Sequence, residues 1–397
     1  MDTFEVIATA AFGVEAVVGQ EVRALGYQNV RVDNGKVTFT ADAVGISRAN
    51  LWLRSADRVF IKMGEFPALT FEELFERTKA LPWEEVLPPN ACFPVIGKSV
   101  KSKLYSVSDC QAIVKKAIVE RLKMKYRKSW FEEDGPRFVI EVSLLKDVAT
   151  LAIDTSGSGL HKRGYRQLAS KAPLRETLAA ALVQLSFWNA DRLLVDPFCG
   201  SGTILFEAAM IGLNMTPGLN RTFDSENWPW IPSSVWKRAR EEALDAIRRD
   251  VHFRLLGYDI DGKVLKIARH NAKLAGVDGY IDFHTQPFER FSTKRKYGCI
   301  ITNPPYGERL GDRKEAEELY RQMGKLFKPL DTWSLYVLSP YEGFERLFGR
   351  KADRKRKLYN GRIKVYYYQF FGPRPPKPGG ELEQKGEQLM PNADELL

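Results

Sequence analysis

The chain is poor in the residues that staple small proteins or hold metals. Four cysteines, Cys92, Cys110, Cys199 and Cys299, and four histidines are spread over 397 residues. No two cysteines have the spacing of a zinc-ligand pair or a redox dithiol, which argues against a disulfide framework and a structural zinc and for a reducing compartment. Long apolar runs are missing too, and none approaches the roughly 20 residues a membrane-spanning helix needs. The first residues, Met1-Asp2-Thr3-Phe4-Glu5, carry acids where a secretory signal starts basic. A cytoplasmic protein with no membrane partner is expected, and a monomer.

Acids are outnumbered. Fifty Asp and Glu against 60 Lys and Arg leave a formal charge of +10. Such an excess favours a polyanionic partner, although it speaks to attraction rather than to chemistry. With 44% hydrophobic and 28% charged residues, the chain should be folded over most of its length, with room for two or three domains.

Local pattern divides the chain. Residues 4–10 read as a strand and Gly13 to Leu25 as a helix. Val30-Arg31-Val32 and Lys36-Val37-Thr38-Phe39 flank Asn34-Gly35, a hairpin signal. A helix from Ala41 and a strand near 58–63 complete a small α+β unit. A second such unit follows, with a helix over 71–80, a strand through Cys92-Phe93-Pro94-Val95-Ile96, a long helix from about Asp109 to Arg127, and strands at 137–143 and 148–153. On the long helix Ile113, Val114, Ala117, Ile118 and Leu122 recur at helical spacing.

After residue 155 the strands become short, continuous apolar runs separated by helices: 193–196, 254–259, 298–302 and 333–338. Such runs suit a parallel sheet covered on both faces. Leu358 to Arg362, followed by Ile363 to Phe370, reads as an antiparallel addition at the sheet's end. Beyond Gly372 the composition falls to Pro, Gly, Lys and Glu, which predicts a flexible tail over 373–397. The tryptophans Trp228, Trp230 and Trp236 are expected to pack an insertion onto the sheet.

Two loops carry chemistry. Leu193-Leu194-Val195 opens into Asp196-Pro197-Phe198-Cys199-Gly200-Ser201-Gly202-Thr203. In an open parallel sheet, ligands bind beyond the carboxyl ends of the strands. Gly200 and Gly202 free the backbone for a cofactor, and Asp196 can hold a cationic group. The spacing is not the dinucleotide fingerprint. The next strand ends in Asp259, where an acid accepts ribose hydroxyls.

The second loop is Asn303-Pro304-Pro305-Tyr306. The lone pair of an exocyclic amine on a conjugated ring is delocalised, and it becomes nucleophilic when two acceptors hold the amine hydrogens. The side-chain oxygen of Asn303 and the carbonyl of Pro304 are candidate acceptors. Pro304 and Pro305 fix the backbone, and Tyr306 offers a face for a flipped base. A proline-stiffened turn after a core strand is the bland alternative.

From about 157 to 371 the chain resembles class I S-adenosylmethionine-dependent methyltransferases of the Asn-Pro-Pro-Tyr type. Leu160-His161-Lys162-Arg163-Gly164-Tyr165-Arg166, Ala172-Pro173-Leu174-Arg175-Glu176-Thr177-Leu178-Ala179 and Leu358-Tyr359-Asn360-Gly361-Arg362 narrow the likeness to THUMP-containing RNA guanine-N2 methyltransferases, including bacterial 23S ribosomal RNA enzymes. The resemblance implies a Rossmann-like domain with a mostly parallel seven-stranded sheet over 156–372, preceded by ferredoxin-like (1–65) and THUMP (66–155) portions. It implies that Asp196, Phe198, Cys199, Gly200 and Gly202 line the methionine part of S-adenosylmethionine, that Asp259 holds its ribose and that Pro173 and Leu174 close the pocket. Asn303 to Tyr306 would hold the target base. Where the family often places an acid on the adenine amine, this chain offers Gln286. Lys98, Lys101 and Lys103, with Lys115 and Lys116 on the long helix, are candidate RNA-backbone contacts that would give affinity rather than sequence choice. The runs Arg350-Lys351 and Arg354-Lys355-Arg356-Lys357 form a second basic patch. A DNA adenine-N6 enzyme and a noncatalytic RNA-binding assembly factor are the rival readings.

Overall fold

A computed structural model describes residues 3–166, 174–306 and 312–376. The expected tail beyond 376 and Pro173 lie outside the described residues. Two compact units emerge, and the chain passes between them more than once: the first takes residues up to 166 with 174–181 and 213–250, and the second takes 182–212 and the chain from 251 onward.

The first unit is built on one seven-stranded sheet. Its strands are β1 (Phe4–Ala10), β2 (Arg31–Asp33), β3 (Lys36–Ala41), β4 (Ala56–Pro67), β5 (Val95–Val100), β6 (Val139–Leu145) and β7 (Val148–Asp154). They lie in the order β2-β3-β1-β4-β7-β6-β5. The twelve-residue β4 joins the two α+β patterns read from the sequence, because its first half pairs with β1 and its later part, from Phe60 to Pro67, pairs with β7. Its register shifts between Lys62 and Gly64. The sheet's helices are α1 (Glu15–Ala24), α2 (Ala43–Trp52), α3 (Phe71–Ala80) and α4 (Val107–Tyr126). Thr70 caps α3 by accepting the Glu73 N–H at 3.1 Å, and the Glu73 carboxylate accepts the Leu69 N–H at 2.7 Å, so two end donors are satisfied. On α4, Val114, Ala117, Ile118 and Leu122 of the expected stripe are buried, Ile113 is only half-buried, and Cys110 joins the buried face one turn earlier. The expected strand at 92–96 begins three residues late, with Cys92 making only an isolated parallel bridge to Arg137.

The tryptophan insertion corrects an expectation. Residues 213–250, which include α7 (Ser233–Asp245), belong to the first unit, and Trp228 and Trp236 are buried in its core. Trp228 stacks on Phe138 at 4.5 Å and donates its indole N–H to the Arg137 carbonyl at 2.9 Å. Large rings with one polar atom fill a core and still find an acceptor. The expected packing on the parallel sheet is not what is seen.

The second unit's sheet comprises β8 (Leu194–Asp196), β9 (Leu255–Asp259), β10 (Ile281–Thr285), β11 (Cys299–Thr302), β12 (Ser334–Ser339), β13 (Arg354–Asn360) and β14 (Ile363–Phe370). The order is β10-β9-β8-β11-β12-β14-β13. The first five strands are mutually parallel, and β14 turns back antiparallel on β12. Every residue of β8, β11 and β12 is buried, as their unbroken apolar runs require. Covering helices include α6 (Thr203–Gly212), α8 (Gly262–Ala275), α9 (Asp312–Phe327) and α10 (Phe344–Phe348), while α5 (Glu176–Gln184) straddles the division. The buried Arg192 guanidinium donates to the carbonyls of Tyr297, Phe187 and Gly298 at 2.6, 2.9 and 3.1 Å, pinning the entries of β8 and β11. A buried cation with several carbonyl partners escapes the penalty of an unpaired one.

Candidate active site

The site forms where β8, β9, β10 and β11 release the chain at their carboxyl ends. Between them lies a cavity of about 560 Å³, lined by Phe198, Gly200, Asp259, Ile260, Phe288 and the Asn303–Tyr306 loop among others, all in the second unit. That volume falls within the roughly 300–1,000 Å³ usual for small-molecule sites.

The loop after β8 is held from inside. Gly200 has φ +52 and Gly202 φ +87, conformations that favour glycine. Their reasons differ. A side chain at Gly200 would meet nothing within 4 Å, so its backbone stands open to the cavity it lines. A Cβ at Gly202 would lie 2.7 Å from the Phe206 ring, so that glycine lets the ring pack close, and it is not in the cavity wall.

Asp259 faces the cavity, and each carboxylate oxygen accepts one backbone N–H, from Gly200 at 2.9 Å and from Asp261 at 2.9 Å. A carboxylate has about four acceptor sites, so two such bonds orient it and leave capacity for ligand hydroxyls. Asp196 lies deeper, 1% exposed and outside the cavity wall. One of its oxygens accepts the Thr302 hydroxyl at 2.6 Å and the Phe198 N–H at 3.1 Å. Burial pushes its pKa up to about 7; the Thr302 and Phe198 hydrogen bonds pull the other way, and the charge of Asp259 adds to the rise. Asp196 therefore ties the first loop to the residue preceding Asn303.

The second loop is positioned as tightly. Tyr306 donates its hydroxyl to the side-chain oxygen of Asn303. The buried Tyr320 of α9 donates to the Pro305 carbonyl at 3.2 Å and takes a bond from Ser339, at the end of β12, at 3.1 Å. Of the predicted site residues, Phe198, Gly200, Asp259, Asn303, Pro304, Pro305 and Tyr306 meet at one cavity. Cys199 is buried, and its N–H is spent on the Tyr258 carbonyl at 2.9 Å. Leu174 belongs to the first unit and is not in the wall. Gln286 is not in the wall either: its N–H is bound to the Asp259 carbonyl at 3.0 Å, and the chain then delivers Pro287, Phe288 and Glu289 to the cavity.

Wall residues that went unassigned from sequence include Ile260, Leu319, Asn360 and Ile363. Ile260 is 76% exposed, an apolar side chain held in water beside Asp259 where a flat ligand ring would cover it. Only its place after a strand-end acid could have signalled it.

The lysines read as RNA contacts fall into two groups. Lys101, Lys103 and Lys116 are exposed. Lys98 is paired with Glu141 at 2.7 Å. Lys115 is bound to Glu133 and to the Phe93 carbonyl and lies 3.4 Å from the Phe93 ring centre, so its charge serves its own fold.

Residues 163–369 match the RMKL-like methyltransferase domain, more than half of the chain. The chain belongs to the RMKL-like methyltransferases. Residues 5–60 match a ferredoxin-like domain of the same group of enzymes, and 68–154 match the THUMP domain. YpsC of Bacillus subtilis (strain 168), which carries the name of an RNA methyltransferase, is 54% identical over 94% of this chain and 97% of its own length. A ribosomal RNA large subunit methyltransferase K/L from Syntrophotalea carbinolica is 34% identical over 91% of this chain, which spans 53% of that longer protein. Among solved structures, one from Listeria monocytogenes described as a predicted N6-adenine-specific DNA methylase superposes with a TM-score of 0.90, at 55% identity over 94% of this chain and 97% of that one. A methyltransferase, SMU.472, complexed with S-adenosylhomocysteine has a TM-score of 0.89 and 49% identity, covering 95% of this chain and 100% of its own. This methyltransferase is an enzyme whose methyl donor is S-adenosylmethionine, and the open backbone at Gly200, the oriented Asp259 and the uncovered Ile260 fit that donor.

Proposed function

We propose that this S-adenosylmethionine-dependent RNA methyltransferase of the K/L type modifies the exocyclic N2 of a guanine in structured RNA, with 23S ribosomal RNA as its substrate and the cytoplasm as its place of action. The observation that carries the reading is the convergence of the Asn303–Tyr306 loop with Gly200 and Asp259 on one cavity. S-adenosylmethionine, when bound, supplies a methyl group made electrophilic by the sulfonium.

The chain's own residues do the rest. Gly200, Asp259, Ile260 and Phe288 hold the donor by backbone access, hydroxyl acceptance and apolar cover. The Asn303 side-chain oxygen and the Pro304 carbonyl accept the two hydrogens of the substrate amine and localise its lone pair. As the base enters, the amine replaces the Tyr306 hydroxyl at Asn303, and the Tyr306 ring covers the base. Catalysis is then chiefly orientation, a contribution that reaches about 7–11 kcal/mol in well-ordered intramolecular reactions. In the THUMP portion, exposed Lys101, Lys103 and Lys116 attract the RNA backbone, and the protein works as a monomer.

The test is product identity. Purified protein given labelled donor with 23S ribosomal RNA fragments and, separately, duplex DNA should yield N2-methylguanosine from the RNA on nucleoside mass spectrometry. Methylated adenine from DNA, with no methylated guanosine from RNA, would overturn the assignment in favour of the activity given to the Listeria protein.

A further inference from the structure

The hairpin of β13 and β14 closes the second unit's sheet, and its charge is one-sided. Residues 354–370 hold six cations, Arg354, Lys355, Arg356, Lys357, Arg362 and Lys364, and no acid. The sequence suggested a basic patch here; the structure makes its first four residues part of the sheet's outermost strand.

Lysines and tyrosines alternate across one face of this hairpin. Lys355 lies opposite Tyr368, Lys357 opposite Tyr366 and Tyr359 opposite Lys364. The Lys355 ammonium sits 4.2 Å from the Tyr366 ring centre and 4.9 Å from that of Tyr368, Lys364 lies 5.5 Å from Tyr366, and Lys357 lies 5.7 Å from Tyr359. Cations held over rings are splayed into a fixed row rather than left to wander. Among the described residues, Glu342 is an acid that meets this face, accepting from Lys364 at 2.6 Å and from the Tyr366 hydroxyl at 3.0 Å. Glu345 and Asp353, also nearby, bind the Ala352 and Phe371 N–H groups at 2.8 and 2.7 Å. Arg354, Lys355, Lys357 and Arg362 are exposed.

The hairpin's position gives the row a direction. Asn360 and Ile363, flanking the turn, line the same cavity as Asn303–Tyr306. The cations therefore begin at the mouth of the active cavity and run outward along β13 for about 20 Å at the usual rise per residue. Lysine on an edge strand also discourages sheets from joining, but that purpose needs no such run. The other three edge strands carry far less: β10 holds no Lys or Arg, β2 one arginine with an aspartate, and β5 one lysine that is paired with Glu141.

We propose that this hairpin grips the phosphate backbone of the single-stranded RNA that flanks the target base, with Arg354, Lys355, Lys357 and Arg362 as the contacts. The proposal rests on the protein acting on RNA and is independent of which base is methylated. Its occupant follows from charge and continuity: a polyanion must enter this cavity, and the cationic row leads into it.

Two measurements test it. In the wild-type protein, amine acylation read by peptide mass spectrometry should show Lys355 and Lys357 protected at least threefold by a 23S ribosomal RNA fragment, and equal labelling with and without RNA would overturn the proposal. The variant K355Q/K357Q/R354Q should raise KM for RNA about tenfold and, at roughly 0.7 per lost contact, flatten the slope of log affinity against log salt by about 2. The charge-keeping K355R/K357R should retain the wild-type slope, and affinity for S-adenosylmethionine should hold in both variants. If wild-type protein methylates RNA while KM and slope stay unchanged in the triple glutamine variant, the hairpin proposal alone falls; if wild-type protein methylates no RNA, the parent reading falls with it.

Discussion

The two loops that end β8 and β11 look alike in sequence, each a buried strand opening into residues that restrict the backbone, yet the structure uses them differently. In the first, the acid that seemed made for a ligand, Asp196, is sunk beneath the loop and bonded to Thr302 and Phe198, and Asp259 of the neighbouring strand faces the cavity instead. In the second, the polar atoms stay at the cavity, with Asn303 held by Tyr306 and Pro305 by Tyr320. On the proposed function, one loop is a scaffold that presents backbone and the other a reagent holder. The difference then divides binding and chemistry between loops, with Thr302 joining them.

The sharpest way to break that division is a pair of substitutions. Asn303→Ala should lower kcat by about 10²–10³, the loss typical of one preorganised polar group at a reacting centre, while affinity for S-adenosylmethionine stays within twofold. Asp259→Ala should do the reverse, weakening the donor by about tenfold or more, the worth of hydrogen bonds to a charged group. Calorimetry with S-adenosylhomocysteine beside single-turnover kinetics separates the two. Equal losses of affinity in both variants would mean the loops act as one unit.

Much of this was legible in the sequence because period and punctuation agree there. The short, largely apolar runs before Asp196, Asp259 and Asn303 suit strands of a parallel sheet, whose carboxyl ends emerge at one edge of the sheet. The hairpin around Asn34-Gly35 and the helix over 71–80 were readable for the same local reason. What stayed hidden depends on contacts distant along the chain. That Asp196 is sealed in follows from Thr302, 106 residues later. The bond of the Gln286 N–H to the Asp259 carbonyl is one such contact, and that Trp228 belongs to the first unit follows from Phe138 and Arg137. Lys115 reads as a free cation on a helix face until Glu133 and Phe93 are seen around it.

A smaller effect tests how the reagent-holding loop is kept in place. Tyr320 reaches no reacting atom; it acts as a positioning residue by holding the Pro305 carbonyl and is itself held by Ser339. Tyr320→Phe removes one neutral hydrogen bond, about 0.5–1.5 kcal/mol, and should lower kcat roughly 3–10-fold with KM for S-adenosylmethionine unchanged. Ser339→Ala should show a weaker version of the same split. A change confined to thermal stability, with kcat intact, would reduce Tyr320 to core packing.

The gentlest probe concerns the scaffold loop and is read against pH. Asp196 has its folded pKa raised from 3.8 to about 7, chiefly by burial. Between those values the folded protein holds a proton that the unfolded chain has released, so this group's stabilising contribution is full below about 4 and is lost as pH rises through about 7. Asp154, raised to about 6 by burial, pulls in the same direction, whereas His161, lowered to about 4 by burial and then by Arg175 and other cations, pulls in the opposite one. The wild-type curve alone therefore mixes these with other shifted groups, Asp57 among them, and a difference curve isolates one. Asp196→Asn keeps an oxygen to accept from Thr302 and Phe198 but removes the buried charge. Its melting temperature relative to wild type should climb by on the order of a few degrees between pH 5 and pH 8. Parallel melting curves across that range would mean that Asp196 is ionised at no cost, and that the scaffold loop, like its neighbour, is open enough for solvent or ligand to reach its acid.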